Sequence, residues 1–519
     1  MPRFSPRSPL ALLAITAAVA LPIAGCGDSG GGGSADTDPA DLVPASAAFY
    51  GEAVVSPDGD LKDAVESVAK KVLRTEDPGA EIIKKLDESF KDDDVNYKDD
   101  IEPWLGDKAG VAVTGIKRSG MELDFMIAVA SKDNDKAQQL VDKEKDTVEQ
   151  RYKDVDYRLD RKDDTAVGVV GDAVVVGTER AFRAAVDATE GDALSERKDF
   201  TDARDTAGDD GLGFIFVDPK RAIDLAASSG EAQAAQLAAV RDALLGSGVK
   251  SVGASLDVED DALRIDAVAI GAKGGEPKGD AAKAAKAAPA GSWLALGIGD
   301  VGGTVKSAIG QLASAGGLGG VDPDTLLQQL QQQTGVDLEK DFLSWMGDAT
   351  LFVRGTTMAD LGGALVVQSK DAAASKRAVG VIRRLLRGAG QSVKPASGGA
   401  VDEGVEIQIP QAPSSIVIGT KGDQFVVAYG SGVVGDALSG SDRLGDSQPF
   451  KDAADALGGD VDPVFFLDLP QVVKLVEGFA GNDADFQKAK PTLDAFGPMG
   501  VGTKRDGDTV RFKAGVKVK

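Results

Sequence analysis

The chain repeats itself, and that repeat limits the available folds more than any other feature of the sequence. Landmarks recur in order at an offset of about 240–250 residues. Pro44-Ala45 leading into Phe49-Tyr50 returns as Pro289-Ala290 leading into Trp293-Leu294. Trp104-Leu105-Gly106-Asp107 returns as Trp345-Met346-Gly347-Asp348, and Ser131-Lys132-Asp133 as Ser369-Lys370-Asp371. Gly171-Asp172 returns as Gly422-Asp423. The segment from Phe200 to Asp218 spans 18 residues, as does that from Phe450 to Asp468. Chance does not keep so many landmarks in step, so the sequence predicts two tandem copies of one unit. The expected boundaries are a leader at 1–25, a flexible tether at 26–40, a first domain at 41–271, a linker rich in Ala, Lys and Gly at 272–286, and a second domain at 287–519.

Each copy predicts the same elements. Phe49 to Val55 reads as a strand, followed by an amphipathic helix with Leu61, Val65, Val68 and Val72 on one face. Ala109 to Ile116 and Leu123 to Ala130 read as paired strands. Asp135 to Tyr152 reads as a helix, and Ala166 to Gly177 as a hairpin turning at Gly171-Asp172. A helix is expected over 231–245, then a closing hairpin from Val252 to Ile270 that turns near Asp260-Asp261. Hairpins outnumber βαβ crossovers, which predicts an α+β fold: two copies of a mostly antiparallel sheet with helices packed on one side.

The N-terminus predicts an address. Arg3 and Arg7 precede an apolar run from Leu10 to Leu21, too short to span a bilayer, and then Ile23-Ala24-Gly25-Cys26. An aliphatic residue, two small residues and a cysteine resemble the bacterial lipoprotein signal. That resemblance implies that the Cys26 thiol is diacylglycerated and that the peptide is cut just before it. Two acyl chains anchor stably where one is marginal. The expected location is the outer face of the cell membrane.

Other classes are disfavoured by what the chain lacks. It has no histidine, which removes the commonest general base and the commonest transition-metal ligand. Cys26 is the single cysteine, so no intramolecular disulfide forms. The net charge of -25 becomes -27 when Arg3 and Arg7 leave with the leader. Such a surface disfavours nucleic acid as a partner.

The lipoprotein start, the strand after Pro44, the Trp104 to Asp107 motif and the duplicated plan together resemble domain-of-unknown-function family 3352. Its members are exported or membrane-attached proteins, mainly of high-GC Gram-positive bacteria. The resemblance implies location and architecture and brings no catalytic residues.

Several short motifs look like chemistry. Gly27-Asp28-Ser29-Gly30-Gly31 matches the nucleophile segment of chymotrypsin-like proteases, but the triad needs a histidine. Gly297-Ile298-Gly299-Asp300-Val301-Gly302 fits a dinucleotide-binding turn, yet its counterpart in the first copy lacks the glycines, so a structural turn is expected. Ser67-Val68-Ala69-Lys70 and Ser247-Gly248-Val249-Lys250 have serine–lysine spacing without supporting elements. The acidic runs at 92–94, 99–100 and 259–261 lack the EF-hand pattern and read as solvated turns. Trp104 and Trp345 read as core anchors, with a binding surface as the alternative. Asp107, Asp218, Asp348 and Asp468 are the other repeated anchors. No cofactor, metal site or catalytic residue is expected. The function expected is a non-catalytic, membrane-anchored protein that binds an envelope protein or ligand. The alternatives are a carrier of an apolar ligand or lipid held between sheet and helices, and a carboxylate-based envelope hydrolase.

Overall fold

The structure is a computed structural model that describes residues 37–90, 95–116, 122–227, 246–314, 323–357, 359–396, 399–410, 412–430 and 432–519. Two compact units emerge. One holds the described residues up to Lys273 with Asp508–Arg511, and the other holds Gly274–Gly507 with Phe512–Lys519. The stretch expected as a linker carries a helix, Ala281–Lys286, whose Ala284 and Ala285 are buried.

The first unit is built on ten strands: β1 (Phe49–Val54), β2 (Leu105–Ile116), β3 (Leu123–Ser131), β4 (Val148–Tyr152), β5 (Val155–Asp160), β6 (Thr165–Val170), β7 (Ala173–Thr178), β8 (Gly213–Val217), β9 (Ser251–Glu259) and β10 (Ala262–Ile270). Their pairings are antiparallel and give the order β4-β5-β6-β7-β3-β2-β1-β8-β9-β10. The second unit has β11 (Ser292–Ile298), β12 (Met346–Arg354), β13 (Gly362–Ser369), β14 (Val393–Pro395), β15 (Glu403–Gln408), β16 (Ser415–Lys421), β17 (Gln424–Tyr429), β18 (Phe465–Asp468), β19 (Phe496–Asp506) and β20 (Thr509–Val518). Its order is β14-β15-β16-β17-β13-β12-β11-β18-β19-β20, the same path strand for strand.

Helices cover both faces of each sheet, which corrects the one-sided arrangement expected above. On the front face of the first unit, helices Glu179–Ala188 and Lys198–Ala207 bury Phe182 and Phe200 against Tyr50, Phe214 and Phe216. On the back face, helices Pro78–Phe90 and Asn134–Asp142 and a short π-helix, Tyr97–Ile101, enclose Trp104, Leu140 and Val174. The second unit repeats this, with Phe352, Phe450 and Phe466 in front and Trp345, Val379 and Phe425 behind. The cause is visible in β7, whose six residues Ala173–Thr178 are all buried. A strand covered on both faces reads as a continuous apolar run.

One other element departs from expectation. The helix predicted over Asp135 to Tyr152 ends at Asp142, and Val148–Tyr152 is a strand paired with β5. The predicted helix at 231–245 lies outside the described residues.

Candidate apolar binding face

The repeated anchors are structural in both copies. Asn96 and Asp337 open equivalent π-helices; the Asn96 side chain accepts from Lys98 and Asp99 N–H, and the Asp337 side chain from Lys340 N–H. The indole Nε1 of Trp104 donates to the Asp100 carbonyl at 2.7 Å, and that of Trp345 to the Asp341 carbonyl at 2.7 Å. Both rings are fully buried. The Trp104 carbonyl then accepts from Lys132 N–H, and the Trp345 carbonyl from Lys370 N–H. Tryptophan thus fixes the start of β2 and β12 to the end of β3 and β13.

The repeated aspartates cap or brace. Asp218 accepts from Arg221 N–H at 2.9 Å and Asp468 from Gln471 N–H at 3.3 Å, each at a helix start. Asp348 accepts from the N–H groups of Asp300 and Asp280, at 2.9 and 3.0 Å. At the equivalent place in the first copy the Asp107 backbone carbonyl accepts from Val55 and Ser56. The copies differ around the helix cap. Asp218 also pairs with Arg197 at 2.9 Å and Arg221 at 3.2 Å. Burial without such a pair pushes the Asp468 carboxyl above its ordinary value.

The other motifs do not assemble into chemistry. Ser67 Oγ donates to the Asp260 carbonyl, while Lys70 pairs with Glu66, so no serine–lysine dyad forms. The glycines of Gly297 to Gly302 serve the chain's own packing. A Cβ at Gly297 would meet the Ala281 carbonyl at 1.8 Å, and one at Gly302 the Leu343 carbonyl at 2.0 Å. Among the described residues no acidic cluster could hold a metal ion. Cys26, Gly27 to Gly31 and Asp92 to Asp94 lie outside them.

One carboxylate pair has its acidities pushed apart. Arg204 bonds Asp38 and, at 2.6 Å, Glu52, which also accepts from the Tyr50 hydroxyl at 2.6 Å. Burial raises the Glu52 carboxyl; burial also opposes ionisation at Asp38, but the bond and charge of Arg204, the Ala40 N–H and the charge of Lys108 together outweigh it and lower that carboxyl. Such divergence can mark an acid–base pair. Here Glu52 is only 6% exposed and its Tyr50 neighbour is fully buried, so no substrate reaches it. The cluster ties Asp38 to helix Lys198–Ala207 beneath the rings of Phe200 and Phe214.

A different feature stands out at the β8-β9-β10 end of the first sheet. Register places Gly51, Ile215, Ala254 and Ala267 in one row across the back face, with Leu256 beside Ile265. The back-facing positions of these three strands are all apolar: Gly213, Ile215, Val217, Val252, Ala254, Leu256, Val258, Leu263, Ile265, Ala267 and Ala269. Ile215 is 47% exposed, Ile265 45% and Leu256 36%. On the front face Ser251, Ser255 and Asp266 are polar yet buried, beside apolar Phe214, Phe216 and Val268. Ser255 Oγ donates to the Ala207 carbonyl at 2.7 Å, and a Cβ at Gly253 would touch Ala203 at about 3 Å. Helix Lys198–Ala207 therefore packs so closely on the front of β9 that only small residues fit at Gly253 and Ser255. An ordinary half-exposed antiparallel strand shows the reverse, apolar inside and polar outside.

The second copy has the same inversion. Phe512, the counterpart of Ile265, is 42% exposed. Its neighbour Lys513, the counterpart of Asp266, is buried and pairs with Asp460 at 2.6 Å. On the back face Leu296 pairs with Phe465 and Leu351, and Phe465 with Val501. Leu351 is 37% exposed. Helices border both faces. Gly59–Leu73 packs along β9 and is pinned by Ser67 and Lys71, which donate to the Asp260 carbonyl at 2.9 and 2.6 Å. Leu469–Ala480 packs on β19 and β11 and leaves Val476 and Phe479 exposed. No helix among the described residues is long and apolar enough to cross a membrane.

Sequence reasoning did not single out Ile215, Leu256, Ile265 or Phe512. Their alternation was readable as a hairpin, but alternation does not say which face a helix covers.

No curated protein matches the chain. Among solved structures, crystal forms IV and I of TP0453 align with TM-scores of 0.25, at 10% and 9% identity. These alignments cover 46% and 47% of this chain and 81% and 84% of those chains, and at such scores the likeness carries no structural argument. The family comparison covers nearly the whole sequence: residues 9–514 match the protein of unknown function DUF3352, and the chain belongs to that family.

Proposed function

We propose that the protein is a non-catalytic extracytoplasmic binding protein, held at the outer face of the cell membrane through acylated Cys26. Its ligand is apolar and lies on the back face of the sheet in each unit. The observation that carries this reading is the inverted hairpin, present in both copies. Large apolar side chains face outward at Ile265 and Phe512 while the adjoining charged residues, Asp266 and Lys513, are buried. Leaving such side chains nearly half exposed forgoes about 1 kcal/mol apiece, and contiguous exposed apolar patches mark interaction sites. The floor offers no charge to orient a polar substrate, and aliphatic walls suit an acyl chain. An envelope protein as ligand would require a polar rim matched to it.

The test is mass spectrometry of material that co-purifies with full-length protein extracted from native membranes. An acyl lipid should be present with the wild type and depleted with Ile265→Gln plus Phe512→Gln. The acylated N-terminal peptide should appear in the wild type and be absent from Cys26→Ser. Absence of any co-purifying lipid, together with no saturable binding of a fluorescent fatty acid, would overturn the apolar-ligand reading.

A further inference from the structure

The duplicated helix after β3 and β13 diverges in charge between the copies. In the first unit Asn134–Asp142 carries Asp135, Lys136 and Asp142. In the second, Ala372–Gly388 carries five cations and no acid after its N-cap Asp371. On a helix of 3.6 residues per turn, Lys376, Arg383 and Arg387 fall on one line and Arg377 and Arg384 on the next, with exposed Gly380 among them. The opposite side, with Ala374, Ala378 and Val379, is buried against the sheet. Arg383 lies 3.6 Å from Glu403, whereas Lys376, Arg377, Arg384 and Arg387 have no ion pair among the described residues. This stripe stands in a chain of net charge -25.

We infer that this helix is a docking surface for an anionic phospholipid bilayer. The Debye length is about 8 Å at physiological salt, so acids elsewhere on the molecule are screened and the local stripe governs close approach. Arginine, which makes up four of the five cations, presents a planar fork that matches phosphate oxygens. Gly380 removes a side chain where the two rows meet, which lets a flat surface approach both. The inference rests on the proposed acylation of Cys26, which would make the bilayer the surface to which the chain is tied. The 11 residues from Gly27 to Thr37 are rich in glycine, and a chain of that composition and length reaches roughly 20 Å. The stripe would then set which side of the protein meets the lipid. This inference does not depend on the apolar faces.

The test uses the full mature chain carrying Cys26→Ser, so that no acyl anchor contributes. Co-sedimentation is measured with vesicles of phosphatidylcholine alone and with one third phosphatidylglycerol. Binding should require phosphatidylglycerol and weaken with added salt. Each cation near such a surface contributes about a fivefold affinity gain, so Arg377→Glu plus Arg384→Glu should reduce binding at least tenfold. Lys488→Glu plus Lys504→Glu, the same change in net charge on exposed residues outside this helix and the π-helix packed on it, should reduce it less than twofold. Circular dichroism melts confirm that each variant is folded. No preference for anionic vesicles, equal losses in the two double variants, or tighter binding to soluble polyphosphate than to vesicles would overturn the inference.

Discussion

At the level of single residues, the two copies preserve what holds the fold and vary what surrounds it. Trp104 and Trp345 keep the same buried ring and the same indole bond, so Trp104→Ala should cost about 3–5 kcal/mol, read from the urea midpoint. The aspartate caps diverge, and at Asp468 pH can read the cap. Burial raises the Asp468 carboxyl above its ordinary value of 3.8, so the folded state favours its neutral form. That favourable contribution is present below the unfolded value and lost as pH rises through the folded one. Asp468→Asn should therefore be at least as stable as wild type at pH 7, with the difference shrinking as pH falls toward 4. Asp218→Asn should instead cost about 1–3 kcal/mol at pH 7, since it removes one of the two carboxylates paired with the largely buried guanidinium of Arg197. Chemical denaturation of both variants across pH decides this. The repeated letters in the sequence marked all four residues. The difference between Asp218 and Asp468 was not legible there, because Arg197 reaches its partner across 21 residues of chain.

At the level of elements, hairpins were the most readable part of the chain. Gly171 and Gly422 both adopt a φ of +58°, which the Gly-Asp turns required. The segment from Asp135 to Tyr152 was misread because Val148–Tyr152 alternates weakly and is mostly exposed, so the helix ahead of it hid its period. The hairpin β9–β10 shows the limit of pattern reading. Its period of two was clear, yet the polar set is the buried one. The structure allows a direct contrast between its faces. Ile265→Gln, on the exposed back, should change stability by no more than about 0.5 kcal/mol and weaken acyl-probe binding. Ser255→Leu, on the buried front, should cost about 2–4 kcal/mol through overpacking against Ala207 and loss of its hydrogen bond. If Ile265→Gln proved the more destabilising in thermal melts, the assignment of faces would be wrong.

At the level of the whole molecule, duplication makes a statement about number. Each copy has its own ten strands in the same order and its own inverted hairpin, so each should bind its own ligand. The floors differ in size. Ala254, Ile215 and Ile265 of the first are matched by the larger Val501, Phe465 and Phe512 of the second. Two sites of unequal affinity are therefore expected. Isothermal titration with a fatty acid should give a stoichiometry near two per chain and a negative heat-capacity change, the mark of apolar burial. Ile265→Gln should remove one site and Phe512→Gln the other. The double variant should bind neither. A stoichiometry of one, abolished by either single substitution, would mean that the copies share one ligand, and the two-face account would fall.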